Sequence, residues 1–454
     1  MKYSYILALG LFTVACNQPT ANDKTDMVQL ITLDPGHFHA ALVQKSMYPG
    51  IDSVVNVYAP DGAELNAHLA LIDSYNARSE NPTHWKEVVY KGPDFLEKML
   101  AEKKGNVVIL AGNNKLKTSY INKSIAAGLN VLGDKPMAIS EADFQLLEKT
   151  FADADEKKVL LYDIMTERSE ITNILQKELA HQPAVFGELE KGSVEKPAIE
   201  IESIHHFYKY VSGKILRRPS WFFDPAQQGD AIVDVNTHLV DIVQWMAFDT
   251  TIIDYKKDIE VQQAEKWPTP LKQSEFTAIT GAEVIPDNLK PFVVQDSIIN
   301  VPANGAIHYA INGVNAKVTA LWNYQAPEGG GDSHYALVRG TKANLVIRQG
   351  KEENWKPELY IEPLENDEKF AQDLQATIQS LQQKYPGIGV EKKETNWKIT
   401  IPDNLKTGHE AHFADVMQRY LQFLKNGKVP EWEVRNMIAK YYVTTKGLAI
   451  AKQQ

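Results

Sequence analysis

Cysteine is almost missing: the 454 residues hold one, Cys16. A single thiol excludes a disulfide framework and any zinc site built from cysteines. Clustered lysine and arginine are missing too, and 48 basic against 58 acidic side chains leave a formal charge of −10. Nucleic-acid binding needs cations massed against phosphates, and electrostatic attachment to an anionic membrane needs polybasic runs, so neither function is expected. After Ala15 no apolar run approaches the ~20 residues that cross a bilayer. Internal repeats and low-complexity stretches are absent. What is present is a globular balance, 44% hydrophobic with 26 Gly and 22 Pro. The length suffices for two or three domains with proper cores.

The lone cysteine sits where a targeting signal would end. Met1-Lys2 is a short basic start, Tyr5 to Ala15 is an apolar run, and the run closes Thr13-Val14-Ala15-Cys16. This is the layout of a secretory signal. Ending in Ala-Cys, it resembles a bacterial lipoprotein signal, in which Cys16 becomes the lipidated N-terminus, although Thr13 departs from the usual aliphatic residue. The other reading is a first buried element with a core cysteine. The polar, tether-like stretch Asn17 to Asp26 argues against it. Residues 1–26 are therefore expected to be signal and tether. The rest of the chain is expected outside the cytoplasm, lipid-anchored to a bacterial membrane on the periplasmic side or at the cell surface.

The remainder divides in two. From 27 to about 160, strand-like runs (Val28–Leu33, Val54–Ala59, Val88–Tyr90, Val107–Ala111, Val131–Leu132, Val159–Leu161) alternate with helical patterns (Ala40–Met47, Phe95–Lys104, Thr118–Ala127, Glu141–Ala154). That alternation predicts βαβ crossovers and a Rossmann-like parallel sheet, with ligands at the carboxyl ends of the strands. From 161 to 454 the pattern predicts an α+β domain on a mostly antiparallel open sheet, with a helix near Ile232–Met246 and helices over Glu368–Lys384, Glu410–Asn426 and Glu433–Lys452 at the end. The chain as a whole is of the α/β class.

Chemistry-bearing residues lie at the expected strand ends. The first strand runs into Asp34-Pro35-Gly36-His37-Phe38-His39. A dinucleotide loop wants three glycines here, for the tight turn, for close approach of the pyrophosphate, and for helix–strand packing. Only the middle one, Gly36, is present, so the segment alone reads first as an ordinary turn. After the second strand, Asp61 is placed to meet adenosine ribose hydroxyls, though a plain turn explains it equally. No arginine follows for a 2′-phosphate, which favours NAD over NADP. The fourth strand ends at Asn113-Asn114 and the fifth at Asp134-Lys135-Pro136. Lys135 is either a ligand-facing lysine at the sheet edge or a solvated loop residue.

The richest stretch runs from Trp221 through Asp224-Pro225 and Gly229-Asp230 to Asp234, His238 and Asp241. On a helix over 232–246, Asp234, His238, Asp241 and Trp245 share one stripe. Asp234 would then raise the pKa of His238, and near an alcohol the pair would act as general base and orienting acid. The plainer reading is a helix-start Asp and a satisfied, half-buried His. His205-His206 and His409 with His412 lack further ligands at a fitting spacing, so no metal site is expected. Gly329-Gly330-Gly331-Asp332 follows no parallel strand and reads as a turn.

Together these segments resemble the Gfo/Idh/MocA oxidoreductase family over roughly residues 27–350. Asp134-Lys135-Pro136 matches its E-K-P motif, with Asp for Glu. Asp224-Pro225, Gly229-Asp230, Asp234, His238 and Asp241 match its W-x-x-D-P…G-G-x-x-x-D-x-G-x-H-x-x-D stretch, with Asn236 for the usual Gly. The glycine loop departs, as does Asn113-Asn114 where members carry T-P-N. The tail resembles a C-terminal extension of secreted or lipoprotein members. The resemblance implies bound NAD, with Gly36, His37, Phe38 and Asn113 lining the dinucleotide and Asp134 reaching the nicotinamide ribose. It implies that Lys135 hydrogen-bonds the reacting hydroxyl, His238 takes its proton, and Asp234 binds substrate and tunes His238. It also implies a homo-oligomer built on the open sheet. Tyr208, Lys209 and Trp221 are candidates for a polyol wall, with Tyr208 and Trp221 equally placed as core residues. The expectation is an NAD-dependent oxidoreductase of a sugar or glycoside hydroxyl with a tightly held cofactor. The alternatives are a redox-neutral NAD-dependent glycosidase or epimerase, and a non-catalytic sugar-binding lipoprotein on a degraded Rossmann fold.

Overall fold

The computed structural model describes residues 27–211, 214–295 and 297–453. The expected signal, and Cys16 with it, lies outside the described residues.

Six short strands, β1 (Leu30–Leu33), β2 (Val54–Ala59), β3 (Lys86–Lys91), β4 (Val107–Leu110), β5 (Asn130–Asp134) and β6 (Leu161–Ile164), form a parallel sheet in the order β3-β2-β1-β4-β5-β6. β1 and β4 are buried at every residue, as strands covered by helices on both faces must be. The covers are α1 (His39–Val43), α2 (Ala63–Ala77), α3 (Phe95–Glu102), α4 (Lys117–Ala126) and α5 (Glu141–Lys157). β1 pairs with both β2 and β4. Strand order reverses there, and the crevice at the carboxyl ends of such a switch point is where α/β sheets take ligands. The expected elements are present with shifted ends. β6 runs to Ile164, so the parallel sheet passes the expected boundary at 160. α2 escaped the sequence pattern because it buries only Leu65, His68 and Ile72.

The chain continues through α6 (Ile171–Ala180) into β7 (Ile199–Tyr208) and a small ribbon of β8 (Tyr210–Val211) and β9 (Lys214–Ile215). α7 (Val235–Ala247) and the short α8 (Tyr255–Asp258) precede β10 (Ile259–Lys272), and α9 (Gln273–Thr280) follows it. The large sheet is completed by β11 (Val293–Val294), β12 (Ile298–Ile311), β13 (Val314–Gln325), β14 (Ser333–Arg339), β15 (Ala343–Gln349), β16 (Glu358–Pro363), β17 (Gly389–Lys392) and β18 (Trp397–Thr400), with the helix α10 (Glu368–Leu381) between β16 and β17. Its order is β10-β12-β13-β7-β14-β15-β16-β18-β17, with β11 beside β12. β7 and β13 are parallel and the other pairs antiparallel. β12 is one long strand, bulged against β10 near Trp267. β10 itself was not expected. It is an edge strand with two prolines, and an edge is where a sheet tolerates them.

The C-terminal helices correct the expected layout. α11 (His409–Asn426) and α12 (Glu431–Ala451) send Phe413, Met417, Tyr420, Met437 and Tyr441 into the core of the parallel-sheet domain. α12 also puts Ala439, Val443 and Leu448 into the core under the large sheet. The tail is thus a seam between both halves rather than an appendage of the second, because α12 is apolar on more than one face. Along the seam lies a buried ion cluster. Lys440 Nζ stands 2.7 Å from Asp163 and 2.8 Å from Asp241. Arg168 forks onto Asp241 at 2.6 and 2.7 Å and onto Glu433 at 3.0 and 2.8 Å. No described helix is long and apolar enough to cross a membrane.

Candidate active site

The loop after β1 keeps the shape of a dinucleotide turn without its glycines. Asp34, in the first glycine's place, adopts φ 49°, a left-handed conformation that Asp tolerates better than most residues. Burial, with Glu64 adding to it, pushes its carboxyl up to about 6. Gly112 at the end of β4 is obligatory, since a Cβ there would lie 2.3 Å from the Asp34 carbonyl oxygen. His39, in the third glycine's place, is buried and turns its ring to Asp134 at 3.0 Å.

Two backbone donors of this loop are already used: Gly36 N–H donates to the Asp34 carbonyl (2.8 Å) and His37 N–H to that of Ala111 (3.1 Å). The space beside Gly36 is bounded by Gly112, Asn113 and the Trp221 ring, each 3.5–3.6 Å from where a Cβ would be. Trp221 reaches over from the second domain and donates Nε1–H to Glu64 at 2.5 Å. The side-chain-free Gly36 and Lys135, both at the strand ends, leave this crevice room for a dinucleotide. At the phosphate end the loop offers fewer donors than the three-glycine version.

The second half meets this edge through α7. The helix starts at Val235, three residues later than expected, because Asp230–Asp234 is a turn closed by Val233 N–H and Asp234 N–H on the Asp230 carbonyl. Asp234 occupies the N-cap position without capping. Its carboxylate goes instead to Lys135 Nζ at 2.5 Å, with both side chains largely buried. The stripe of Asp234, His238, Asp241 and Trp245 therefore splits. Asp234 and His238 face the cavity, Asp241 belongs to the Arg168–Lys440 cluster, and Trp245 lies under the Lys177 ammonium at 4.4 Å. The expected rise in the pKa of His238 is overturned. Burial first, then the charge of Lys135, hold it well below the usual imidazole value, while Asp234 is occupied by Lys135. His238 is a neutral imidazole whose Nδ1 has no partner among the described residues.

Lys135, Asp234 and His238 open onto a cavity of about 820 Å³ between the two halves, which His409 at the start of α11 also lines. Its far wall is aromatic and charged. Trp322 stacks on His205 at 5.0 Å and on Phe207 at 4.9 Å, and the Arg218 guanidinium covers Phe222 and Trp322 at 4.5 and 5.0 Å. Asp332, from the loop read as a plain turn, accepts from Lys209 at 2.7 Å and pairs with His206 at 3.0 Å. Burial opposes its ionisation, but hydrogen bonds from His205 and His206 hold its pKa well below the carboxylate range. Burial of Glu167 on the near wall, with Glu170 beside it, pushes that carboxyl up to about 7.

The other expected site residues divide as follows. Lys209, His37 and Phe38 line the cavity, whereas Tyr208 and Trp221 do not. Tyr208 packs on Tyr324 and Tyr210, and Trp221 lies against the crevice. Asn113 donates to Gln227 at 2.8 Å and ties the domains together. Asp61 is exposed and pairs with Lys91 at 3.3 Å. Asp134 faces His37 and His39 from a buried position rather than the open crevice. Arg218, Trp322 and Asp332 were not singled out from the sequence, because only folding of β7, β13 and β14 brings them to one wall.

The architecture has known counterparts. Residues 22–164 match the family model described as "Oxidoreductase family, NAD-binding Rossmann fold", of the Gfo/Idh/MocA group, and residues 175–452 match "Putative oxidoreductase C terminal domain". A crystallised "putative oxidoreductase" from Parabacteroides merdae is 54% identical, covering 94% of this chain and 98% of its own, with a TM-score of 0.92. Two remote structures share the fold. They are levoglucosan dehydrogenase in complex with NADH and levoglucosan (12% identity, 94% and 97% covered, TM-score 0.58) and myo-inositol 2-dehydrogenase from Lactobacillus plantarum (12%, 94% and 98%, 0.55). No curated protein matches the chain. With both family models matched in sequence order and a relative similar over nearly its whole length, the chain belongs to the Gfo/Idh/MocA oxidoreductase family, with an NAD-binding Rossmann domain at its N-terminal side.

Proposed function

We propose that the protein oxidises or reduces a hydroxyl carbon of a sugar or glycoside and keeps its NAD bound through the cycle. The observation that carries this reading is the meeting of the Lys135–Asp234 pair and a neutral His238 at one cavity large enough for a sugar ring. NAD supplies the hydride acceptor or donor, and Gly36, Phe38, Asn113 and Lys135 are the residues that would hold it. Lys135, oriented by Asp234, donates a hydrogen bond to the reacting oxygen. His238, neutral at physiological pH, accepts the hydroxyl proton as the carbonyl forms and returns it in the reverse direction. Trp322 and Arg218 offer an apolar face and a guanidinium edge, and Lys209 and Asp332 offer polar groups, as a polyol requires.

Retention of the cofactor follows from the proposed location. A chain lipid-anchored at Cys16 outside the cytoplasm meets little free NAD and no pool that regenerates it. The hydride must then pass to a second small molecule or return to the same substrate. We also assign the open face of the large sheet as the contact between copies in a homo-oligomer.

The test is to denature purified protein and assay the released nucleotide, then to challenge the intact protein with glucosides, levoglucosan and myo-inositol. Stoichiometric nucleotide and bound-cofactor reduction without free NADH are the expected results. Absence of nucleotide, together with no NAD or NADH binding in calorimetry, refutes the reading. Free NADH accumulating over many turnovers, with added NAD obligatory, refutes retention alone.

A further inference from the structure

We infer that His37, His39 and Asp134 form a binding site for one divalent transition-metal ion, with an open coordination position towards the cavity. The inference does not depend on the dinucleotide reading. The H-x-H spacing places both imidazoles on one side of the turn into α1, with ring centroids 4.1 Å apart. Asp134, at the end of β5, faces both: its Oδ2 is 3.0 Å from His39 Nδ1 and 3.7 Å from His37 Nδ1. One ligand atom from each of the three residues lies within 4.8 Å of the others. Bonds of ~2.1 Å in a tetrahedral shell separate ligand atoms by about 3.4 Å, and the two measured separations bracket that value.

The carboxylate supplies a second observation. Asp134 is only 4% exposed, and its Oδ1 meets no partner among the described residues. A buried carboxylate oxygen without a donor is rare and costly, and a missing ion is one of its ordinary explanations. Two ammonium groups stand nearby: Lys135 is paired with Asp234, and buried Lys117 donates to the Asp134 carbonyl oxygen at 3.2 Å. The charge of each is felt at His37, so an ion here relies on the two imidazoles and the carboxylate against them. One competing contact, His39 N–H to His37 Nδ1, is long at 3.4 Å.

The donor set names the class of ion. Two imidazoles and one carboxylate suit Zn²⁺, Co²⁺ or Fe²⁺ and not Ca²⁺ or Mg²⁺, which take oxygen shells. Three protein ligands leave a position open, the pattern of sites that bind a substrate oxygen. His37 and His39 line the cavity, together with Lys135 and His238. A hydroxyl or carbonyl oxygen of a cavity ligand is the group that position would take.

The experiment strips the purified protein with chelator and titrates Co²⁺ and then Zn²⁺, following the visible Co²⁺ absorption and the heat of binding. One equivalent is expected, with intense d–d bands of low coordination number. His37→Gln and Asp134→Asn should each weaken binding by ~10²-fold or more, while His84→Gln, an exposed histidine elsewhere, should change nothing. Circular dichroism reports folding, and His37→Gln, at the less buried ligand, keeps the test open if Asp134→Asn misfolds. No stoichiometric site in the stripped protein, binding that survives His37→Gln, or binding lost in His84→Gln overturns the assignment.

Discussion

Replacement of Lys440 by methionine probes the seam that holds α7 against the parallel-sheet domain. Lys440 is fully buried and pairs at 2.7 Å with Asp163 of β6 and at 2.8 Å with Asp241 of α7. The substitution keeps most of the volume and removes the charge. Asp241 remains satisfied, because Arg168 forks onto it. Asp163 is left with the Tyr441 hydroxyl, which donates to it at 2.9 Å, as its remaining side-chain partner among the described residues. Breaking a buried ion pair on one side costs about 3–5 kcal/mol, a large share of the ~5–15 kcal/mol that holds a folded protein.

The deficit should depend on pH with a definite sign. Burial already raises the Asp163 pKa in the folded protein, with Lys440 the main opposing influence. Without Lys440 the folded-state pKa rises further above the unfolded value. The penalty is then absent below the unfolded carboxyl pKa and grows as pH rises towards the folded one, by about 1.4 kcal/mol per unit. Urea unfolding at pH 5 and pH 8, compared at constant slope, reads this directly. The Lys440→Met protein should lose more at pH 8 than at pH 5, and adding Asp163→Asn should recover much of the loss at pH 8. A loss below about 1 kcal/mol at pH 8, or no recovery in the double variant, would refute the account of the seam.

Two further predictions concern the cavity. Lys135→Ala and His238→Ala should each lower turnover by ~10²–10⁴-fold with circular dichroism unchanged; near-normal turnover in either variant would remove that residue from the proposed chemistry. Because burial and Lys135 depress the pKa of His238, the acid limb of the kcat/KM profile should lie below the ordinary imidazole value of 6.5, and a limb at or above that value would contradict the placement of the base.

The alternation of β and helical runs made the parallel sheet and its ligand edge legible before any coordinates. A period of two against a period of 3.6, punctuated by turns, is a local property of the chain. Lys135 and His238 could be singled out for the same reason: the motif around each is contiguous, Lys135 just past β5 and His238 in the first turns of α7. The spacing of Asp234 and His238 brings both to the cavity, but the two are not the electrostatic pair that the spacing suggested. Spacing says which side chains share a face and nothing of what stands opposite, and Lys135, 99 residues away, is what stands opposite Asp234.

Other features had no local signal at all. Arg218, Trp322 and Asp332 form one wall because β13, β7 and β14 are neighbours in the large sheet. Trp221 covers the crevice only because the second domain packs against α2. The buried charges of Lys440, Asp163, Asp241 and Arg168 look like ordinary surface residues in sequence, and only mutual pairing makes their burial affordable. The sequence by itself determined most of the elements (though not α2 or β10), the class of fold and the residues at the sheet edge, because backbone preference and hydrophobic period are carried by near neighbours. Which charges pair, which pKa values move and which side chains share a cavity were decided by tertiary structure, because desolvation and Coulomb forces act between residues that only folding brings within a few ångströms.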